Sequence, residues 1–157
     1  MTIVPKPRLA LLGGGFSDDE DGLLDDWLLD QVPVPRPKVC FVPTASGGIS
    51  AGANCWAEGS HTDSFGPLTH LPDGLGLLPG SVCPHYDSEQ GRMASYRAAV
   101  ASRALPSGWA LEDGVGALFT EGRLTDSVTR LPRARLYRVE PDGTGEAKER
   151  AVPCRLL

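Results

Sequence analysis

The stretch Gly48-Ile49-Ser50-Ala51-Gly52 constrains this chain more than any other. It has the form G-x-S-x-G, in which a serine sits on a sharp turn between a strand and a helix. The flanking glycines relieve the crowding of such a turn, because a residue without Cβ tolerates unusual φ/ψ. A serine held there exposes its Oγ at the sheet edge. The backbone N–H of the next residue, Ala51, then points toward a developing oxyanion. Five common letters are a weak signal, and a small-residue turn without chemistry reads the same way. The pattern nonetheless asks for a strand before Ser50 and a helix after it.

The flanking sequence supplies both. Lys38–Thr44 reads as a strand, Ala45-Ser46-Gly47 as a loop, and Ala51–Glu58 as the start of a helix. Upstream, Arg8-Leu9-Ala10-Leu11-Leu12 is an apolar run suited to a buried strand, ended by Gly13-Gly14-Gly15. Asp18, Asp19, Glu20 and Asp21 follow, and acidic residues favour a helix N-terminus. Leu23, Leu24, Trp27 and Leu28 then recur at helical spacing, which predicts an amphipathic helix over 20–31. Pro33, Pro35 and Pro37 stop it. Residues 8–44 therefore read as a β-α-β unit with a parallel strand pair. The triple glycine lacks both the G-x-G-x-x-G spacing and a P-loop lysine, so a tight strand-to-helix turn is favoured over nucleotide binding.

Further along, Gly59–Gly66 is polar and loop-like, and 67–80 carries no clear period. Ser81-Val82-Cys83-Pro84-His85-Tyr86 reads as a short strand running into a loop. A helix is expected over 91–103, from Met93, Tyr96 and Val100. Strands are expected at 108–111, 116–120 and 135–139, with Glu112-Asp113-Gly114 as a turn. The tail after Pro141-Asp142-Gly143 reads as loose.

Bulk properties narrow the function classes. A chain of 157 residues with 41% hydrophobic and 22% charged residues suits one folded α/β domain. A net charge of −5 and the lack of a basic run argue against nucleic acid. The arginines of 130–138 alternate with Leu, Pro and Tyr, as on a half-exposed strand. The four cysteines, Cys40, Cys55, Cys83 and Cys154, never pair at C-x-x-C spacing, which speaks against a zinc ribbon or thioredoxin-type site. No leader-type apolar segment and no run near the ~20 residues of a membrane span is visible. A cytoplasmic protein with reduced thiols and no membrane partner is the expectation.

Several motifs in order resemble the peptidase E-like serine peptidases, peptidase family S51. Leu11–Gly15 with Leu23–Leu29, then Phe41-Val42-Pro43-Thr44-Ala45-Ser46, look like that family's N-terminal half. Gly48–Trp56 with Glu58–Gly66 is similar to its nucleophile segment, and Pro84-His85-Tyr86-Asp87 to its histidine segment. Asp113–Leu118 resembles the strand region near its C-terminus. The resemblance implies a shortened flavodoxin-like, class I glutamine amidotransferase-like three-layer α/β sandwich. It implies one domain over 8–140, with 1–7 and 141–157 as terminal segments. It also implies hydrolysis of short peptides, above all dipeptides with an N-terminal aspartate, without metal or organic cofactor.

By the same resemblance, Ser50 is the nucleophile, His85 the general base, and Ala51 N–H one oxyanion donor. The acid orienting His85 is Glu58, favoured by its Trp56-Ala57-Glu58-Gly59 context, with Asp63 as alternative and Asp87 as a third choice. Arg92 and Arg97 are candidate cations for an acidic substrate side chain. One departure is large. The family carries a long segment where Gly47 here joins Gly48 directly, so at least one βαβ-sized unit of ~30 or more residues is absent. That segment supplies the second oxyanion donor and the strand feeding the nucleophile. A partner chain completing the sheet would make the protein a homo-oligomer. An inactive remnant or binding protein of the same ancestry is the rival reading, and an esterase or acyl transferase a further one.

Overall fold

In the computed structural model, residues 6–13, 20–32, 34, 51–63 and 66–157 are described. They form a mixed α/β structure of two sheets and few helices. The strand β1 (Arg8–Leu12) and the helix α1 (Leu23–Asp30) lie where the apolar run and the helical spacing predict them. The short helix α2 (Ala51–Asn54) is followed by β2 (Ala57–Thr62), β3 (Thr69–Leu71) and β4 (Leu78–Cys83). Then come α3 (Arg92–Ala101), β5 (Gly108–Leu111), β6 (Val115–Thr120) and β7 (Arg123–Thr129). The chain closes with β8 (Leu136–Pro141), β9 (Ala147–Val152) and β10 (Arg155–Leu156).

The six-stranded sheet has the order β3-β2-β4-β5-β8-β9. Its centre, β2, β4 and β5, is parallel, and β3, β8 and β9 join antiparallel. The unit β4-α3-β5 is a parallel crossover. The second sheet has the order β1-β6-β7-β10. Period-two side chains explain how the sheets pack. On β6, Val115, Ala117 and Phe119 face a core shared with Leu11, Ala57, Leu78, Val82, Leu111 and Leu136 of both sheets. Trp109 and Phe119 meet edge to face there, their ring centroids 5.6 Å apart. Leu118 turns the other way, onto Leu24 and Trp27 of α1. Tyr96, Ala99 and Val100 of α3 cover the far face of the larger sheet, against Ala110 and Val139.

Three expectations are corrected, those for the 51–58 helix, the 59–66 loop and the loose tail. The helix expected over 51–58 stops at Asn54, and the polar 59–66 loop is largely strand. Ser60, His61 and Thr62 carry no apolar alternation, yet they are buried in β2, which lies between β3 and β4. The partner of β1 among the described residues is β6, antiparallel. The expected parallel partner, within 38–44, lies outside the described residues. Strand β7 lies in a stretch for which no element is expected. Last, the loose tail is sheet. Every residue of β9 pairs with β8, from Leu136↔Val152 to Pro141↔Ala147. Its charged sequence, Ala-Lys-Glu-Arg-Ala-Val, suits an edge strand with one wet face. Among the described residues, no helix is long and apolar enough to cross a membrane.

Candidate active site

Strands β4 and β5 are parallel neighbours, with Cys83 opposite Ala110. Their C-terminal ends therefore emerge side by side, where open parallel sheets bind ligands. The loop after β4 carries His85. The turn after β5 carries Asp113. Residues 28 apart in sequence meet there, His85 Nδ1 lying 2.7 Å from Asp113 Oδ1. Nδ1–H must be the donor, because the carboxylate has no proton to give. Nε2 then keeps its lone pair, as a base requires. The pair is part-buried, with 19% of the His85 side chain and 36% of the Asp113 side chain exposed.

Both loops are held by backbone bonds. Gly13, at the end of β1, donates its N–H to Val115 O at 2.8 Å and accepts the His85 N–H at 2.8 Å. Tyr86 N–H donates to Leu111 O at 3.0 Å. Asp113 N–H donates to Asp87 Oδ1 at 3.0 Å. These bonds hold His85 at φ 52, a left-handed conformation that non-glycine residues rarely keep without such support.

The two charges act on each other. The Asp113 hydrogen bond raises the His85 pKa above its ordinary value, against the opposing effect of burial. The His85 hydrogen bond lowers that of Asp113, again against burial. The signs give a pH window. His85 adds stability fully below its ordinary value of 6.5, and loses it as pH rises through its raised folded value. Asp113 adds stability above its ordinary 3.8, and loses it as pH falls through its lowered folded value. The pair thus stabilises the fold most between those ordinary values. Asp113→Asn is expected to move the His85 titration down toward that of a free histidine, read by NMR of its ring protons. An unmoved titration would mean that the carboxylate does not set the charge of His85.

The family model of peptidase family S51 matches residues 46–127, a stretch that contains Ser50, His85 and Asp113. The chain belongs to peptidase family S51. A relative, "Uncharacterized peptidase YgaJ" of Bacillus subtilis (strain 168), is 30% identical over a match covering 85% of this chain and 92% of that protein. The match runs over 212 residues, more than the 157 of this chain, so the relative carries stretches that this chain lacks. No solved structure gives a significant match.

The other residues expected at the site of this S51 peptidase are distributed as follows. Ser50 lies outside the described residues, and Ala51 is the first residue of α2. Glu58 does not meet His85. Its Oε2 accepts the Gly80 N–H at 2.8 Å. Asp63 Oδ1 accepts from Arg92 Nη2 at 2.9 Å. Arg92 is 2% exposed, and the same nitrogen also lies 2.9 Å from Glu89 Oε2. The Arg92 charge is nevertheless felt at His85, whose pKa it lowers slightly against the larger effects of Asp113 and burial. Arg97 donates to Ala147 O at 3.1 Å and pairs with Glu149 at 3.7 Å. His61 is buried in β2, and burial above all, helped by Arg92, lowers its pKa to about 4, so it stays neutral near pH 7. In the sequence Asp113 reads as part of a turn and of a family-like strand segment, with no catalytic role. The signal that points to it is two strands flanking one helix, which places the loops after both strands at one edge.

Proposed function

We propose that this S51 peptidase hydrolyses short peptides with an N-terminal aspartate through a Ser50 acyl-enzyme. The observation that carries the reading is the 2.7 Å His85–Asp113 bond at the ends of β4 and β5. Ser50 Oγ attacks the peptide carbonyl while His85 Nε2 takes its proton. The same proton passes to the leaving amine as the C–N bond breaks, and water then releases the acyl group. Asp113 holds the imidazole in the required tautomer and stabilises the imidazolium. It takes the role expected of Glu58 or Asp63, which are engaged by Gly80 and Arg92. Ala51 N–H serves as oxyanion donor. Arg92, released from Asp63 or Glu89, receives the substrate's acidic side chain, with Arg97 as the second cation. The parallel β2-β4-β5 centre and its α3 crossover support a shortened flavodoxin-like sandwich.

A second reading, an S51 chain that no longer turns over peptides, is favoured by the 212-residue match against a shorter chain. Hydrolysis of Asp-Leu, Leu-Leu and a simple ester, with a Ser50→Ala control, separates the readings. Asp-Leu cleavage that disappears in the control supports the proposal. Ester turnover without aspartate preference replaces it with an esterase. Equal background rates from folded protein leave the inactive relative. The molar mass of the same sample tests whether a second copy completes the sheet.

A further inference from the structure

Each member of the His85–Asp113 pair has a chain neighbour gripped by the β8–β9 hairpin. Next to His85, Tyr86 is 1% exposed and donates its hydroxyl to Glu149 Oε1 on β9. Next to Asp113, Glu112 accepts the Tyr137 hydroxyl of β8 on Oε1 at 3.2 Å. Its Oε2 accepts the Arg135 N–H at 2.6 Å, and its own N–H donates to Arg135 O at 3.2 Å. The Tyr86 and Tyr137 rings lie against each other, with centroids 5.7 Å apart. Glu149 opposes Val139 across the hairpin, so period two puts it on the same face as Tyr137. Arg97 ties β9 to α3 through Ala147 O and Glu149.

We infer that the β8–β9 hairpin sets the His85–Asp113 distance, with Tyr86, Glu112, Tyr137 and Glu149 as positioning residues. The inference rests on the reading of His85 and Asp113 as the acid–base pair. It reaches beyond the family-matched stretch, since β8 and β9 follow residue 127. A left-handed His85 persists only where its neighbours over-determine it. Its own N–H, the Tyr86 N–H and the Tyr86 hydroxyl each have a fixed acceptor. Without Glu149, a buried hydroxyl loses its partner, and the loop gains a reason to move. A shift near 1 Å in a catalytic geometry costs up to about 10²-fold in rate.

The test compares Glu149→Ala with Glu149→Gln, which keeps an acceptor oxygen for Tyr86 while also removing the charge. Tyr137→Phe probes the other grip with a minimal change. Circular dichroism confirms the fold, NMR follows the His85 titration, and kcat and KM are measured on Asp-Leu. Arg92 and Glu89, the other charges felt at His85, are untouched in all three variants. The expected result for Glu149→Ala is kcat down about tenfold and a His85 titration lowered toward that of free histidine. Glu149→Gln is expected to restore both. Tyr137→Phe is expected to act in the same direction as Glu149→Ala, and it decides the matter if Glu149→Ala does not fold. An unmoved His85 titration in folded Glu149→Ala or Tyr137→Phe overturns the inference, as does a Gln variant as impaired as Ala. The titration needs no turnover, so a wild type without peptidase activity sinks the proposed function and leaves this inference to be decided by NMR.

Discussion

Replacing His85 by alanine is expected to lower kcat on an Asp-X dipeptide by on the order of 10⁴-fold or more, and adding Ser50→Ala to lower it little further. The near-identity of single and double variants is the stronger half of this prediction. A serine hydroxyl has far too high a pKa to ionise at neutral pH, so without a base it does not attack. A base without the hydroxyl has no proton to accept on the productive path. Each loss alone removes the acyl-enzyme route, and what remains is the smaller acceleration from binding and oxyanion donors. In the proposed mechanism His85 is the base of this unit. His85 Nδ1 is bonded to Asp113 at 2.7 Å, which leaves Nε2 for the nucleophile. Steady-state kinetics on the two single variants and the double variant, each checked for native circular dichroism, read the outcome. Losses that multiply in the double variant would mean that Ser50 and His85 act in separate steps, and the acyl-enzyme mechanism would fall.

A large stability effect is expected at Gly13. A Cβ built there would lie 2.1 Å from the Glu112 carbonyl oxygen and 2.9 Å from its carbon. Both are backbone atoms, so no side-chain rotation relieves the clash. Either the end of β1 or the turn carrying Asp113 must move. Gly13 bonds to Val115 and to His85 through its two backbone groups, so either movement also disturbs the site. Gly13→Ala is therefore expected to cost about 3 kcal/mol, the upper range for overpacking, or roughly 6–12 °C in Tm for a chain of this size. Gly22→Ala is the control. Gly22 has φ +65 but nothing within 4 Å of a Cβ, so its cost is backbone strain alone, about 1 kcal/mol. Thermal and denaturant unfolding of both variants compare the two costs. A Gly13→Ala protein as stable as Gly22→Ala would show that the Glu112 turn yields freely and does not hold Asp113 in place.

The elements legible in the sequence are those whose own side chains state a period. Leu23, Leu24, Trp27 and Leu28 mark α1, and Tyr96 with Val100 marks α3, because each helix has one face against a sheet. The strands at 108–111 and 116–120 read correctly, to within a residue, from aromatic and apolar residues between turns. Strand β2 was hidden because Glu58, Gly59, Ser60, His61 and Thr62 are loop-like letters. It is a strand because it lies between β3 and β4, and Leu105 and Pro106 approach Gly59 from more than forty residues away. Strand β9 was hidden because half of its residues are charged, and only pairing with β8 makes it a strand.

The site divides along the same line. Short local strings keep their letters wherever the chain folds, so membership of family S51 is readable from the chain alone through the Ser50 motif and the Pro84-His85-Tyr86-Asp87 loop. A carboxylate's role is set by what it touches, and Glu58, Asp63, Asp87 and Asp113 are alike as letters. The tertiary structure distinguished them. Glu58 reaches Gly80, Asp63 reaches Arg92 and Asp87 reaches the Asp113 N–H, whereas Asp113 reaches His85. The physical reason is the parallel pairing of β4 with β5, which brings two loops to one edge of the sheet. Such pairing depends on which strands become neighbours, and no window of adjacent residues contains that information.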